Sequence, residues 1–498
     1  MLFTIFAAMP MVFPATGFSD SIRVPNGSFE RPATEFADPR IESWRKSTKP
    51  DWYDEAGGFP WEQLSGVFLN TTPDQPDHLV NVVGAQAAFL FAVPQVALFL
   101  DNESGSGSAS ALVPTFEPSH TYRLSVAVLG GGGGMKPGVS LTLGLYYRDA
   151  SGAAVPIAST EVINDPTLFA DPSRFVDFHV DVPRIRRSDP WAEKPIGIRI
   201  ESTVSPDLAG GYWDIEEVRL SREIVLPNGS FELPSTEFAD PRIESWSKSA
   251  KPDWYDEAGG FPWEQLSGVF LNTAPGAPDH ITNVDGRQAA FLFAVPQVEV
   301  FQDADSTPSH DFDARYVPGR SYQLSAGVVG GGGGMKPGVT LALSLYHLDS
   351  AGQRVPVATT TITNSAALFP TQNQFVEFTV ASATVDARSP WAGRNIGVAI
   401  TSTVQPDLAG GYWDIENVRL TEKSGAVLRN PAWKAGQFSV ELTSEPGTAF
   451  EIQTAAALGL PESGWSGVGT VTNTTGTLTW QDPASGSGPR YYRARELP

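Results

Sequence analysis

The sequence predicts an all-β protein, with two tandem antiparallel jelly-roll or β-sandwich domains followed by a smaller β-sandwich module. Three observations predict this fold class. Short runs such as TYRLSVAVL and RFVDFHVDV show period-two apolar spacing, as half-buried strands do. Glycine and proline number 48 and 41 of 498 residues and separate these runs, whereas long helical periodicities are hard to find. Finally, a stretch of about 200 residues occurs twice.

The duplication is letter for letter in its longest segment. Residues 49–71 read KPDWYDEAGGFPWEQLSGVFLNT, and residues 251–273 repeat this string unchanged. The strings TEFADPRIESW, QAAFLFAVPQV, GGGGGMKPGV and PDLAGGYWDIE also occur twice. The period is too long for a solenoid unit and has the length of a domain. We predict repeat A at 22–222, repeat B at 223–422 and a C-terminal β module at 426–498. The identity reflects either a shared function or a recent duplication.

The N-terminal segment predicts export. Residues 1–19 are uncharged and apolar, and Ala15-Thr16-Gly17 has the small-x-small form of a cleavage site. We expect a signal peptide, whose missing positive leader indicates a truncated start. The alternative is a disordered or strand-forming N-terminus. No other stretch is apolar enough to span a bilayer, so we expect a secreted or cell-surface protein.

Charge and composition exclude several classes of partner and site. The net charge of −22 argues against nucleic acid and anionic membranes, which need a basic surface. The chain has no cysteine, so disulfides and thiolate metal sites are excluded. Nucleophile motifs such as G-x-S-x-G and the zinc motif H-E-x-x-H do not occur.

The identical segment is unusually rich in aromatic and acidic residues. Flat rings stack on the apolar faces of sugars, while carboxylates and amides bond their hydroxyl groups. The alternative is that the rings close the open end of the sandwich as a minor core. The predicted ligand-binding residues of repeat A are Trp52, Tyr53, Asp54, Glu55, Trp61, Glu62 and Gln63. Those of repeat B are Trp254, Tyr255, Asp256, Glu257, Trp263, Glu264 and Gln265.

Two short motifs bound each repeat. PNGSFE opens the repeats at 25–30 and 227–232, and GGYWDIE lies near their ends at 210–216 and 410–416. In the closing strand Trp213 and Ile215 share one face, Asp214 points away, and a bulge near Glu216–Glu217 is needed to bring Val218 back into phase.

This pair of motifs resembles the galactose-binding-like jelly rolls, especially carbohydrate-binding modules, and the whole repeat is similar to uncharacterised secreted bacterial proteins. The resemblance implies a two-sheet sandwich with adjacent first and last strands and a structural calcium between its ends. It would place the calcium ligands at Glu30 and Asp214 in repeat A, and at Glu232 and Asp414 in repeat B. Read from the residues alone, these are equally well solvated strand-end acids. The C-terminal module resembles fibronectin-like domains.

The five-glycine tract at 130–134 allows two interpretations. It is either a flexible connection or a place where the backbone closely approaches a ligand. It lacks the strand–turn–helix context of a phosphate loop.

Taken together, the sequence predicts a secreted, non-catalytic protein whose two carbohydrate-binding-like modules recognise a polysaccharide. One alternative is a structural or adhesive surface protein that binds proteins or copies of itself. Another is a polysaccharide-acting enzyme, with Glu55 and Glu62 as a carboxylate pair. The oligomeric state stays open.

Overall fold

The computed structural model describes residues 20–56, 58–103, 112, 114–305, 312–434, 437–444, 448–457, 464–473, 477–482 and 490–496. The predicted signal peptide at 1–19 lies outside these ranges. The described chain is almost entirely β, with six antiparallel sheets and a few short 3₁₀ helices, so the predicted fold class is confirmed. No helix in the described ranges has the length and apolar character needed to cross a bilayer.

Repeat A is a sandwich of two antiparallel sheets. Its strands are β1 (Asp20–Ile22), β2 (Ala37–Asp38), β3 (Arg45–Lys46), β4 (Ser65–Leu69), β5 (Gln86–Phe91), β6 (Ala97–Leu100), β7 (His120–Gly132), β8 (Ser140–Arg148), β9 (Ala154–Ile163), β10 (Val176–Val182), β11 (Gly197–Ser202) and β12 (Tyr212–Ile224). One sheet has the order β10-β7-β12-β5-β4-β2, with β1 also paired to β12, and the other has the order β3-β6-β11-β8-β9. A 3₁₀ helix, Trp61–Gln63, precedes β4.

Repeat B has the same architecture. Its strands are β13 (Ala239–Asp240), β14 (Ser247–Lys248), β15 (Ser267–Leu271), β16 (Gln288–Phe293), β17 (Glu299–Gln302), β18 (Arg320–Gly332), β19 (Thr340–Leu348), β20 (Arg354–Thr363), β21 (Val376–Ala381), β22 (Gly397–Ser402) and β23 (Tyr412–Ser424). Their sheet orders are β13-β15-β16-β23-β18-β21 and β14-β17-β22-β19-β20. Three 3₁₀ helices cover Glu257–Gly259, Trp263–Gln265 and Pro406–Leu408.

The C-terminal β module consists of two three-stranded sheets. Its strands are β24 (Val427–Lys434), β25 (Gln437–Thr443), β26 (Thr448–Ala455), β27 (Ser466–Asn473), β28 (Thr477–Gln481) and β29 (Tyr491–Glu496). The sheet orders are β24-β25-β28 and β27-β26-β29, and a small core around Leu442, Phe450 and Ile452 lies between them.

The closing strand β12 shows how the alternating pattern builds the core. Trp213 and Ile215 point into the sandwich and are fully buried. The pairing register with β7 shifts between Glu216 and Arg219, and Glu217 has a φ of 46°. This bulge returns Val218 to the core, as the sequence predicts. Asp214 lies on the opposite face of the sheet from Trp213.

A buried cluster of charged side chains joins the two repeats. Glu422 of repeat B accepts a hydrogen bond from the Nε of Arg222 of repeat A at 2.7 Å and one from Arg320 at 2.9 Å. Both arginines also bond Glu117, each at 2.7 Å. Burial opposes ionisation of Glu422, but the hydrogen bond from His120 and the two arginines hold its pKa well below its usual value.

This cluster contains the one group of three possible metal ligands in the described ranges, namely Glu117, His120 and Glu422. Because two guanidinium groups already neutralise both carboxylates, the cluster is a set of ion pairs and not a cation site. Its members also occupy matching places in the duplication. Arg222 of repeat A corresponds to Glu422 of repeat B, and His120 corresponds to Arg320. The position of Arg222 and Glu422 therefore carries opposite charges in the two repeats.

Candidate functional site

Repeat B has a pocket of about 820 Å³ on the outer face of its sheet β13-β15-β16-β23-β18-β21. Side-chain alternation creates it. On β16, Leu292 points into the core while Phe291 and Phe293 are half-buried on the other face. On β23, Trp413 points inward and Tyr412 outward. The lining residues include Phe238, Phe261, Gln265, Thr273, Asp279, Phe291, Phe293, Val329, Gly332, Gln372, Asn373, Tyr412 and Asp414.

Four rings form a continuous aromatic wall along this pocket. In repeat B the wall consists of Phe261, Phe291, Phe293 and Tyr412, and in repeat A of Phe59, Phe89, Phe91 and Tyr212. In repeat B the ring centroid of Phe293 lies 5.5, 6.1 and 6.0 Å from those of Phe261, Phe291 and Tyr412, respectively. In repeat A the same contacts span 5.5, 6.0 and 5.9 Å. The duplication therefore supplies two copies of the aromatic wall.

Glycines make room for two of these rings. A Cβ on Gly268 would lie 2.7 Å from Cζ of Phe291, and one on Gly332 would lie 2.4 Å from Cε2 of Tyr412. Gly332 belongs to the five-glycine tract of repeat B and itself lines the pocket. In this tract the backbone thus closely approaches the tyrosine ring of the same repeat, and its approach to a ligand stays a prediction.

The carboxyl groups of the pocket have no basic partner there. No lysine or arginine is among the lining residues, whereas Asp279 and Asp414 are. Burial raises the pKa of Asp414 to about 7 and that of the equivalent Asp214 to about 8. Burial, followed by the charges of Asp414 and Asp279, also raises the pKa of Tyr412. The pocket is thus an aromatic surface with acidic groups beside it.

The identical segment supports the pocket from the side. Glu55 accepts a hydrogen bond from the backbone N–H of Trp61 at 2.8 Å, and the Tyr53 hydroxyl donates to the carbonyl of Phe59 at 2.9 Å. The Trp61 indole donates to the carbonyl of Ser47 at 2.8 Å. These bonds fix the loop that carries Phe59 into the aromatic wall. Repeat B has the same three bonds.

The predicted binding residues of this segment separate into buried and exposed groups. Trp61 and Trp263 are only 3% and 4% exposed, whereas Trp52 and Trp254 are 53% and 52% exposed. Trp52 packs edge-on against Trp61 at 6.3 Å. Trp61 and Trp263 are therefore packed as in the alternative interpretation, in which the rings of this segment form a minor core.

The polar members of the segment have different positions. Asp54 and Asp256 accept bonds from backbone N–H groups two residues later. Glu62 and Glu264 are exposed, and Glu257 bonds Trp263 as Glu55 bonds Trp61. Gln265, the counterpart of Gln63, lines the pocket. A ligand-binding role for the segment stays a prediction, with Gln265 as its member on the pocket surface.

A half-buried lysine secures the same segment in each repeat. The Lys248 ammonium donates to the carbonyls of Glu264 and Ser267, at 2.7 and 2.6 Å, and to that of Pro241, which lines the pocket. Burial lowers the pKa of Lys248 to about 8, although these carbonyls solvate its charge. Lys46 is placed in the same way in repeat A.

The predicted calcium ligands lie apart from one another. Glu30 accepts bonds from the backbone N–H groups of Ala85 and Gln86, at 2.9 and 2.8 Å. Asp214 pairs with Phe89, which is three residues beyond Gln86, or roughly 10 Å along β5. The acidic neighbour of Glu30 is instead Glu216, since the charge of Glu30 contributes to its raised pKa.

Glu216 fits a cation better than Asp214 does. It is fully buried, and within the described ranges neither carboxylate oxygen has a hydrogen-bond donor in good geometry. Burial, followed by the charges of Glu217 and Glu30, raises its pKa to about 8. In repeat B, Glu232 bonds the backbone N–H groups of Arg287 and Gln288, and Asp285 is the acidic neighbour of Glu416.

Sequence reasoning missed most of the aromatic wall, although a signal was present. The repeated string QAAFLFAVPQV is apolar on both faces of a strand, with Phe89 and Phe91 two residues apart. A strand that faces solvent on one side alternates apolar and polar residues. The additional apolar residues of this string therefore indicated a second apolar surface.

No protein-family model matches the sequence, and no curated protein matches it. Several solved structures match the chain in part. A cyclase from Fischerella sp. TAU is 20% identical over 42% of this chain and 99% of its own, with a TM-score of 0.30. The tandem CBM22-1-CBM22-2 domain of Xyn10C from Paenibacillus barcinonensis is 12% identical over 82% of this chain and 98% of its own, with a TM-score of 0.27. A third is the single CBM22-1 xylan-binding domain of the same enzyme, which is 14% identical over 42% of this chain and 97% of its own, with a TM-score of 0.24. At these identities, function has to be inferred from the pocket itself.

Proposed function

We propose that the protein is a secreted or cell-surface carbohydrate-binding protein that holds one segment of a polysaccharide in the pocket of each repeat. The observation that carries the proposal is the duplicated aromatic wall with amide and carboxyl groups beside it. Aromatic rings stack on the C–H faces of sugars, and Gln265, Gln372 and Asn373 offer donors and acceptors to sugar hydroxyl groups. A volume of about 820 Å³ is in the usual range of ligand pockets.

Two copies of the aromatic wall on one chain also favour an extended ligand. A polymer that fills one pocket presents its next segment to the second pocket at high effective concentration. The buried ion cluster at Glu422 fixes the two repeats relative to each other, so little flexibility is lost when both pockets are filled.

Isothermal titration calorimetry with xylan, β-glucan, mannan and chitin fragments tests the proposal. The test variant is Phe91→Ala with Phe293→Ala, which removes the central ring of both aromatic walls. We expect at least a tenfold loss of affinity, the effect of one lost stacking contact of about 1.5 kcal/mol in each pocket. Trp433→Ala is the matched control, because this ring is 61% exposed in the C-terminal module. Flat titrations with every glycan, or equal affinity of the test variant, would overturn the proposal.

We further propose that calcium is held by Glu30 and Glu216 in repeat A, and by Asp285 and Glu416 in repeat B. The support is the unpartnered buried carboxylate of Glu216 next to Glu30. A calcium ion would neutralise both acids and tie the opening motif to the closing strand. Asp214 and Asp414, which the resemblance implied, lie in the pocket region instead.

A second candidate function is acid catalysis on the bound glycan. It is favoured by Asp414, whose pKa of about 7 keeps a proton available near neutral pH inside an aromatic pocket. Glu55 is a weaker candidate acid, because it is engaged by the backbone of Trp61. A reducing-sugar assay tests this function. The function would be established if the double variant Asp214→Asn with Asp414→Asn lost turnover and retained binding. Absence of turnover on every bound glycan would exclude it.

A further inference from the structure

We propose that the two repeats are unequal glycan sites, with repeat B the tighter one, because Gln372 and Asn373 add two hydrogen-bonding amide groups to its pocket. These two residues are the specificity-determining difference between the copies. The inference rests on the proposed carbohydrate binding and goes beyond it, since it assigns a different role to each repeat.

The duplication allows the pocket lining of repeat B to be compared with repeat A position by position. Of the 19 described residues that line the pocket, 15 are identical in repeat A. The positions that differ, with the residue of repeat A second, are Ile281 and Leu79, Val329 and Leu129, Gln372 and Pro172, and Asn373 and Ser173. The first two exchange one aliphatic side chain for another. Among the described lining residues, the polar groups therefore differ at Gln372 and Asn373 alone.

The loop that carries these two residues is held in the same way in both repeats. The backbone N–H of Thr282 donates to the carbonyl of Asn373 at 2.9 Å, and that of Val80 donates to the carbonyl of Ser173 at 2.8 Å. In each repeat the next residue after Thr282 or Val80 is an asparagine, whose side chain bonds the backbone of the phenylalanine at the end of the loop. The side chains at these positions, and not the path of the loop, thus distinguish the repeats.

Gln372 places its amide group at the Tyr412 end of the aromatic wall. Its Nε2 donates to the carbonyl of Gly331 at 3.3 Å, and the following residue, Gly332, packs against the ring of Tyr412. The Oε1 of Gln372 accepts no hydrogen bond from any described residue. One N–H and the Oε1 are therefore left for a ligand. A sugar stacked on a ring presents its hydroxyl groups around its edges, where an amide group beside Tyr412 can bond them.

Asn373 supplies a second amide group next to the first. Its backbone carbonyl is engaged by the N–H and the hydroxyl of Thr282, at 2.9 and 3.2 Å. In the described part of the chain, its side-chain amide bonds no other group. Both Gln372 and Asn373 are exposed to solvent and line the pocket, so their amide groups are available to a sugar.

Repeat A offers less at the same two places. The ring of Pro172 has no hydrogen-bonding atom, and the hydroxyl of Ser173 donates to Asp171 at 2.6 Å within its own loop. A Cβ on Gly131, the counterpart of Gly331, would meet no described atom within 4 Å beyond its chain neighbours, whereas one on Gly331 would lie 2.7 Å from Nε2 of Gln372. This side of the aromatic wall is thus open in repeat A and lined by an amide group in repeat B.

Calorimetry on the full chain with the xylan, β-glucan, mannan and chitin fragments tests the inference. The variant Phe91→Ala leaves the aromatic wall of repeat B intact, and Phe293→Ala leaves that of repeat A intact. We expect Phe91→Ala to bind the best glycan of the panel at least about fivefold more tightly than Phe293→Ala does, the effect of one net hydrogen bond.

Exchange of the two residues identifies the cause of this difference. In the Phe91→Ala protein, Gln372→Pro with Asn373→Ser should lower the affinity to that of Phe293→Ala. In the Phe293→Ala protein, Pro172→Gln with Ser173→Asn should raise the affinity by at least about threefold. Gln374→Ala is the matched control, since this exposed residue follows Asn373 in the same loop and is not among the lining residues.

Equal affinity of the two single-wall proteins, or tighter binding by repeat A, overturns the inference and leaves carbohydrate binding intact. A difference in affinity that the exchanges do not change overturns it too. Failure of every glycan overturns the proposed function as well. The reciprocal exchange in repeat A keeps the test decisive if the exchanged repeat B does not fold.

Discussion

Replacing Glu216 with glutamine should remove a large part of the pH dependence of the stability of repeat A. Glu216 is fully buried, and its pKa is raised from 4.5 to about 8. Between these two values the folded repeat keeps a proton that the unfolded chain releases. Stability therefore falls as the pH rises through this window, because the folded state binds more protons. Glutamine has nearly the same shape and does not titrate.

The magnitude follows from the size of the shift. A pKa that rises from 4.5 to about 8 corresponds to roughly 3 kcal/mol of lost stability at pH 7, and to roughly 5 kcal/mol above pH 8. The variant should not lose this stability. Its free energy of unfolding, relative to that of the native protein, should therefore increase by roughly 3 kcal/mol between pH 5 and pH 7.

Hydrogen exchange of peptides from β12, measured at pH 5, 6, 7 and 8 with a chelator present, follows repeat A separately from the rest of the chain. Glu416→Gln should produce the same change in β23 and leave β12 unaffected. Glu161→Gln, at an exposed position on β9, is the control for a simple change in charge. Parallel pH profiles for the native protein and Glu216→Gln would refute the reasoning.

Calcium should reverse the effect of Glu216→Gln on the stability of repeat A. With calcium present, the ion neutralises Glu216, so the native repeat should gain stability at pH 8 and Glu216→Gln should gain none. If calcium has no effect on either protein, the proposed cation site is wrong and the pH argument is unaffected.

Three further outcomes are expected. Glu422→Gln should lower the stability of the pairing between the repeats by roughly 3 kcal/mol, because it removes one of the two carboxylates that neutralise Arg222 and Arg320, and small-angle scattering should then detect separated repeats. Gly332→Ala should displace the ring of Tyr412 and weaken glycan binding in repeat B, and it should also lower the melting temperature, because the new Cβ would lie 2.8 Å from the backbone carbonyl oxygen of Tyr412; calorimetry and thermal melting measure the two effects. Trp263→Ala should cost roughly 3–5 kcal/mol of stability in urea unfolding, whereas the exposed Trp254→Ala should cost less than about 1 kcal/mol.

The fold could be predicted because the alternation of apolar and polar residues along a strand follows directly from the geometry of a sheet. The spacing of Trp213, Ile215 and Val218 even required a bulge, and the structure has it between Glu216 and Arg219. A one-residue offset in a strand leaves no other way to keep three apolar side chains on one face. The register of β12 is thus contained in local sequence.

The site was harder to predict because it depends on which strands become neighbours. Asp214 lies beside Phe89 only because β12 is placed between β5 and β7, a long-range pairing that no local pattern specifies. Similarly, Trp52 and Trp61 occur in one loop with similar polar neighbours, yet one is half exposed and the other is buried. The hydrogen bond from Trp61 to Ser47 decides this difference, and the sequence does not reveal it.

The opposite charges at matching places in the two repeats also limit how separate molecules can associate. Where Arg222 meets Glu422 within one chain, two copies of repeat A would oppose arginine to arginine, and two copies of repeat B would oppose glutamate to glutamate. Such like-charge contacts disfavour the pairing of two copies of repeat A or of two copies of repeat B, so the contact is specific for one repeat of each kind.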